Sequence, residues 1–445
     1  MGQDRALRRE AREPEGRASL STRFVVSVAI VFLCSSSAVA QLSGYSSVSF
    51  GYHQNPLYNY AKLSDQLKLA YFELSYQNES DNNVLAIRYV GGLTTFNQLQ
   101  DRNYYEHGLA GLYTLHFTGA VAEKSPEAEE SEEEEDEAEE SDKSPSYADS
   151  TGKYVTLGLR LAARHDKAVR QDYDNQGGEL TIAYRFTTGD RSYGRLLNTF
   201  ASRSYRTVPE LSNVNDVLSA ELGAWTDGGV VYGVSASAGV KHYTTSIFDS
   251  TRFQTTTGNS SGKGKGVGNQ NGTTTQEILI EPQISSTIQL SAAVFLQKNW
   301  SAQSSLSAVA LYRLTPRYAE RYLVPLTPEA SLTEDLYADF FSYKGPEVQI
   351  RLTQPLFANI QSILGYEFQY KGFGIPALDL EGNEIEPNRK DLRSSVELYF
   401  SHYFELSGGM GIDVSLDAEI ARNQSNDRYN DFSTFSVSLG LGIGF

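Results

Sequence analysis

The sequence is nearly free of cysteine, since Cys34 is the only one in 445 residues. Cys34 lies in an N-terminal segment that we expect to be removed, so disulfides and thiol chemistry are excluded for the mature protein. No run of 18 apolar residues follows that segment, which excludes helical membrane spans. The six histidines form no His-x-x-x-His or His-Glu-x-x-His pair. We therefore predict no metal site, no cofactor, no catalytic residue and no enzymatic activity.

Basic residues are outnumbered, with 38 Lys and Arg against 55 Asp and Glu, for a formal net charge of −17. This balance does not attract nucleic acid, so nucleic-acid partners are excluded. Residues 121–143 hold 13 of the acids and only two lysines. Such a segment has almost nothing to bury and repels itself. Residues 118–152 are therefore predicted to be a disordered acidic insertion.

The N-terminal region has the three parts of a secretory leader. Residues 1–23 contain six arginines, residues 24–33 are apolar, and Ala38-Val39-Ala40 provides small residues for cleavage. This order predicts a signal peptide over residues 1–40 and a mature chain that begins at Gln41. A membrane anchor is the alternative, but residues 24–33 are too few to cross a bilayer, which takes about 20 residues.

The C-terminal residues alternate strictly between apolar and small side chains. The apolar positions are Phe435, Val437, Leu439, Leu441, Ile443 and Phe445, and serine or glycine stands between them. A period of two predicts a strand with one apolar face, and about 9–11 tilted residues cross a bilayer core. This ending resembles the closing strand of bacterial outer-membrane β-barrels. The resemblance implies a place in the outer membrane of a Gram-negative bacterium, and it implies that these six residues are read by the assembly machinery.

The same alternation recurs along the chain, as in 155–161, 392–400 and 406–420. The second face of these segments carries charged residues, which are costly in lipid and acceptable in a watery lumen. Alternating short turns and long loops give about 16 strands, within a range of 14–18. Residues 41–445 are therefore predicted to form an all-β, antiparallel, up-and-down transmembrane barrel in contact with membrane lipid.

Two long loops are expected at 244–275 and 314–345, where 276–298 is taken as one strand. The aromatic residues of 314–345 (Tyr318, Tyr322, Tyr337, Phe340, Phe341 and Tyr343) make it the best candidate for a loop folding into the lumen. The acidic insertion is ambiguous. Its length favours the outside, where barrels carry long loops, whereas the parity of the strand count favours the periplasm. We follow the parity.

Charged residues on the polar faces form the candidate site in the lumen. They are Arg88, Arg160, Arg185, Arg313, Arg351, Arg393, Glu221, Glu281, Glu347, Glu367, Glu397, Asp413 and Asp417. Rings of opposite charge can shape a transverse field and set ion selectivity. Equally, such residues can neutralise one another and stiffen a closed barrel.

The leading hypothesis for function is a passive channel for small solutes, because about 16 strands can enclose an aqueous channel. The alternative is a structural or surface-interaction barrel with a closed lumen. An outer-membrane enzyme ranks last, because no segment resembles the His-x-Ser-Asn-Gly motif of outer-membrane phospholipases.

Overall fold

The chain forms a closed barrel of 16 antiparallel strands, each paired with its neighbours in chain order, with β1 paired to β16. The computed structural model describes residues 40–58, 60–61, 63–80, 82–117, 152–167, 173–207, 209–244, 252–253, 276–277, 286–301, 303–317, 340–357, 360–381, 383–406 and 408–445. The strands are β1 (Ala40–His53), β2 (Asp65–Ser80), β3 (Asn83–Phe96), β4 (Tyr104–Phe117), β5 (Lys153–Asp166), β6 (Asn175–Gly189), β7 (Ser192–Tyr205), β8 (Asn213–Trp225), β9 (Val230–Tyr243), β10 (Ser286–Ser301), β11 (Ser304–Arg317), β12 (Tyr343–Pro355), β13 (Gln361–Leu378), β14 (Glu384–Glu405), β15 (Gly411–Ser425) and β16 (Phe432–Gly444). Arg252–Phe253 and Gln276–Glu277 form a separate two-stranded sheet.

The outer face of the barrel is apolar, as the period of two predicts. In β5, for example, the exposed side chains include Leu157, Leu159 and Leu161. Closure pairs every strand on both sides, so the backbone needs no water inside a bilayer. A closed barrel with an apolar exterior is a transmembrane barrel of the outer-membrane type. Within the described ranges, no helix is both long and apolar enough to cross a membrane.

The two ends of the barrel differ in their connections. At one end, here called the turn end, β2–β3, β6–β7 and β10–β11 are joined by two residues each, and both Ala40 and Phe445 lie there. At the opposite, loop end, the connections include 54–64, 244–285 and 318–342. Residues 118–152, the predicted acidic insertion, link β4 to β5 at the turn end. Apart from Gly152 they lie outside the described residues, as do residues 1–39 of the predicted signal peptide.

Two expected loop boundaries need correction. Residues 276–298 do not form one barrel strand, because Gln276–Glu277 pair with Arg252–Phe253 in the separate sheet and the described barrel strand begins at Ser286. The loop expected at 314–345 is shorter, 318–342, because β11 continues with Leu314 facing outward and Thr315 buried on the inner face.

The barrel closes on the last residue of the chain. Nine residues of β1, Tyr45–His53, pair with β16, and Gly44 then exchanges two backbone hydrogen bonds of 3.0 Å with Phe445. The ring of Phe445 lies over Gly44, where any Cβ would overlap it. Glycine is therefore required at position 44 for the Phe445 ring to pack on the outer face of the β1–β16 pair.

Candidate functional site: the barrel lumen

Contacts across intervening strands identify the inner face. The Tyr45 hydroxyl on β1 donates to Asp413 on β15 at 3.5 Å, although β16 lies between these strands. Such a contact forms only on the concave side of the sheet. Gly442 on β16 makes it possible, because a Cβ there would overlap the Tyr45 ring. The residues that share this parity with Asp413 line the lumen.

A basic wall is formed by the inner faces of β5, β6 and β7. Its arginines are Arg160, Arg164, Arg185, Arg195 and Arg203, and its carboxylates are Asp166 and Glu179. Aromatic rings hold two of the guanidinium groups. Arg164 lies 3.9 Å over the ring of Tyr104 and pairs with Asp166 at 3.0 Å, and Arg185 lies 4.1 Å over the ring of Tyr193. The cation–π contact holds the Arg185 guanidinium in place without neutralising its charge, whereas the charge of Arg164 is balanced by Asp166.

An acidic wall is formed by the inner faces of β13, β14 and β15. Its carboxylates are Glu367, Asp391, Glu397, Glu405, Asp413, Asp417 and Glu419, and its cations are Lys371, Arg389 and Arg393. The central strands of the two walls, β6 and β14, are eight strands apart in both directions around the barrel. The basic and acidic walls therefore face each other across the lumen.

The other predicted lumen residues lie in smaller groups on the inner face. Arg88 pairs with Glu73 and donates to Tyr71 at 3.1 Å, and Glu221 accepts from Tyr193 at 2.8 Å. Arg313 pairs with Glu347. Arg351 on β12 lies in register with Gly365, over which the Glu397 side chain extends. Glu281 lies outside the described residues.

Several inner-face charges were missed by the sequence analysis. They include Glu73, Arg195 and Lys371. Each lies an even number of residues from a polar position in the same strand, as Lys371 does from Glu367. Extending the period of two over whole strands would have found them.

At the loop end, buried aromatic and aliphatic side chains form a ring that we call the collar. Its members are Leu57, Tyr173, Tyr205, Leu211, Tyr243, Phe341, Tyr343, Phe373, Leu378 and Phe432. They belong to the loop-end residues of the strands and to the connections between the strands.

The described part of the 318–342 connection contributes to the collar. Phe341 is only 2% exposed and lies against Gly239 on the inner face of β9, where a Cβ would be 3.0 Å from its ring. Gln289 on β10 donates to the carbonyls of Phe340 and, at 3.3 Å, Tyr343. This end of the loop thus folds into the lumen. Tyr318, Tyr322 and Tyr337 lie outside the described residues.

The first connection, 54–64, also projects inward through Tyr58. Its φ of 50° is the one positive value among the described non-glycine residues. The Tyr58 hydroxyl donates to Glu419 at 3.2 Å, is 3.2 Å from His53 Nε2, and its ring lies 5.7 Å from the guanidinium of Arg393. A left-handed backbone costs about 1–3 kcal/mol and commonly marks a functional position.

A second contact at the rim joins the 54–64 connection to 426–431. The rings of Tyr60 and Tyr429 meet edge to face at 5.1 Å, and the Tyr429 hydroxyl donates to the Leu380 carbonyl at 2.8 Å. Burial raises the pKa of Tyr429, so the phenol keeps its proton at neutral pH. The contact between the two connections is therefore insensitive to pH near neutrality.

Away from the collar, part of the inner face is open to solvent. The Arg88 side chain is 53% exposed, and Leu69 and Leu112 are 39% and 45% exposed although they point into the lumen. Side chains packed against an opposite wall would be buried, so the residues that the structure describes do not fill the lumen beside β2–β4. Within the described ranges no three His, Cys, Asp or Glu side chains are grouped as metal ligands.

The chain matches no protein-family model and no curated protein. It is similar in fold to CdiB from Acinetobacter baumannii, with a TM-score of 0.43, 10% identity and coverage of 90% of this chain. It spans only 60% of CdiB. It is also similar to OccK9 (OpdG) from Pseudomonas aeruginosa, with a TM-score of 0.41, 10% identity and coverage of 92% of this chain and 98% of that one. It is similar as well to a loop L8 deletion mutant of OmpT, an outer membrane protein of Vibrio cholerae, with a TM-score of 0.37 and 9% identity. That match covers 91% of this chain and 99% of the OmpT chain. Likeness of this degree carries no argument about function.

Proposed function

We propose that this protein is a passive outer-membrane channel for small solutes. The observation that carries the proposal is the opposition of the basic wall on β5–β7 and the acidic wall on β13–β15. Charge sorted to opposite sides of an aqueous lumen creates a transverse field. Some cations and carboxylates also pair side by side, as Arg389 does with Asp391, and such pairs would stiffen a closed barrel. Each wall nevertheless keeps an excess of one sign, with five arginines against two carboxylates on the basic wall and seven carboxylates against three cations on the acidic wall.

The dimensions of the barrel agree with this proposal. Eight strands leave an interior filled by side chains, whereas 16 strands can leave an aqueous channel. The exposed Arg88, Leu69 and Leu112 are the side chains expected along such a passage. The collar at the loop end would then be its narrowest part, and Tyr58 and Phe341 would border the path of the solute.

The alternative is a barrel with a closed lumen that acts as a structural or surface-interaction protein. The collar favours it, because ten apolar side chains are buried at the loop end. The two functions differ in one measurable property, which is conduction. Catalysis ranks last, because the sequence holds no His-x-Ser-Asn-Gly segment like that of outer-membrane phospholipases.

Purified, refolded protein in planar bilayers decides between these functions. A channel conducts ions in stable steps, and a closed barrel leaves the bilayer silent. Two unit charges 4 Å apart in water interact with an energy of about 1 kcal/mol, which changes the local concentration of a permeant ion about fivefold. We therefore expect Asp413→Asn with Asp417→Asn to shift the reversal potential in a salt gradient toward anions.

The matched variant carries Arg160→Gln with Arg195→Gln, and it is expected to shift the reversal potential toward cations. Shifts of the same sign in both variants would mean that only the net charge matters, and that the two walls have no separate roles. Conduction with no shift in either variant would contradict the proposed placement of these residues on the conduction path.

The orientation in the membrane is part of the proposal. The turn end, with both termini of the barrel, faces the periplasm, and the loop end faces the outside. The acidic insertion then lies in the periplasm. Residues 1–40 direct secretion, and the alternating residues that end at Phe445 are recognised by the outer-membrane assembly machinery.

A further inference from the structure

The acidic wall contains two cations whose hydrogen-bonding capacity its carboxylates leave partly unused. Lys371 makes no ion pair or hydrogen bond among the described residues, and its ammonium group lies 4.9 Å from the ring of Tyr343. The Nε of Arg393 is buried without a hydrogen-bond partner. Both side chains are on the inner face near the loop end.

The surrounding carboxylates are engaged by other donors. Asp391 accepts from Arg389 at 2.7 Å and from Ser425 at 2.6 Å. Glu347 is paired with Arg313 and also accepts from Gln349 at 2.7 Å.

Two more carboxylates are engaged in the same way. Glu367 accepts from Gln369, and Glu419 accepts from Tyr58. Arg393 reaches Glu419 only through Nη2, at 3.7 Å. Each of these carboxylates thus has another donor, and none of them forms an ion pair with Lys371 among the described residues.

The register brings the two cations together. Lys371 faces Asp391 across the β13–β14 pair, and Arg393 faces Gln369. Lys371 and Arg393 are thus diagonal neighbours on one face, with Cα atoms about 7–8 Å apart, within reach of one small ligand through their long side chains. The rings of Tyr343 and Tyr58 stand on either side of this pair.

A partly buried cation without an oxygen partner is destabilising, and an anion that supplies oxygens would relieve the cost. A carboxylate has two oxygens and one charge, so it can accept from the Lys371 ammonium and the Arg393 guanidinium together. A phosphate would bring a second negative charge close to Asp391 and Glu367. The geometry therefore favours a singly charged carboxylate.

We propose that Lys371 and Arg393 form a subsite in the lumen that binds the carboxylate of a small organic solute. The subsite rests on the proposed channel, whose solute class it names. The subsite would be an anion-binding site on a wall whose other charged residues are mostly acidic. Carboxylate solutes would then pause at the collar before they enter the wider lumen.

Calorimetry on the folded protein in detergent tests the subsite without requiring conduction. Sodium acetate is expected to bind saturably, and Lys371→Met is expected to weaken binding at least tenfold. Lys371→Arg should retain binding to within threefold. Lys390→Met is the matched control, because Lys390 is exposed on the outward parity of the same strand pair, and acetate binding should be unchanged. Arg393→Gln supplies an independent loss if Lys371→Met does not fold.

Three outcomes would overturn the subsite. Acetate binding equal in wild type and Lys371→Met removes the lysine from it. Chloride that competes with acetate at equal concentration shows charge screening and no carboxylate recognition. Ethylammonium that binds better than acetate shows a cation site. If the protein binds acetate but does not conduct ions in bilayers, the proposed channel is refuted and the subsite stands. If the protein conducts ions but does not bind acetate, the subsite is refuted and the channel stands.

Discussion

The two faces of β15 have opposite chemistry. The outward face carries Leu416 and Ile420, both exposed, and the inward face carries Asp413, Asp417 and Glu419. The outward side chains of this one strand thus face lipid, and its inward side chains face the lumen. The difference shows that position parity, and not overall hydrophobicity, decides what a residue tolerates in this protein.

Breaking the contact that closes the barrel between β1 and β16 should reduce the amount of folded barrel more than any other change proposed here. Deleting Phe445 removes two backbone hydrogen bonds to Gly44 and the ring that covers it. We expect no heat-modifiable, folded barrel in the outer membrane, while secretion continues. Immunoblots of unheated membrane fractions measure this.

A subtler change tests the same contact from the other side. Gly44→Ala places a Cβ in the Phe445 ring and should lower the yield of folded barrel. Gly111→Ala is the control, since a Cβ at Gly111 meets nothing within 4 Å. Equal yields from the two variants would mean that the seating of the terminal ring is unimportant.

Lysine substitutions on the two faces of β15 should have the next largest effect. Leu416→Lys places a charge in lipid and should cost about 2–4 kcal/mol near the midplane. Asp417→Lys places the charge in the lumen and should change the free energy of unfolding little. Urea titration of the refolded barrel in lipid measures both, and equal losses would refute the assignment of the faces.

Removing the acidic insertion should have the smallest effect on folding. Joining Ala120 to Lys153 by a short Gly-Ser turn shortens a loop, and each halving of loop length changes closure entropy by only about 0.6 kcal/mol. We expect the same amount of inserted barrel as for the full chain. A loss of inserted barrel would show that the segment takes part in the structure.

A cysteine at Ser141 tests the proposed side of this insertion. An impermeant thiol reagent should label it only after the outer membrane is opened, because the insertion leaves β4 at the turn end. Labelling on intact cells would place the turn end outside and reverse the proposed orientation.

The alternation of residues by itself determined the fold class. In strands such as β16, Phe435 to Phe445 alternate with serine and glycine, and this period of two specifies a sheet with a lipid face. The count of about 16 strands and the inward position of Asp413 follow from the same local rule. The expected strand over 276–298 was wrong at its start, because Gln276–Glu277 pair with Arg252–Phe253 outside the barrel sheet.

Tertiary structure alone decided how the inward charges are arranged. No local pattern shows that Arg195 and Asp417 belong to opposite walls, because that depends on closure of the ring between β1 and β16. The same is true of Tyr58, which reaches Glu419 only because the first connection folds back into the lumen. Periodicity is a property of neighbouring residues, whereas opposition across a lumen joins residues hundreds of positions apart.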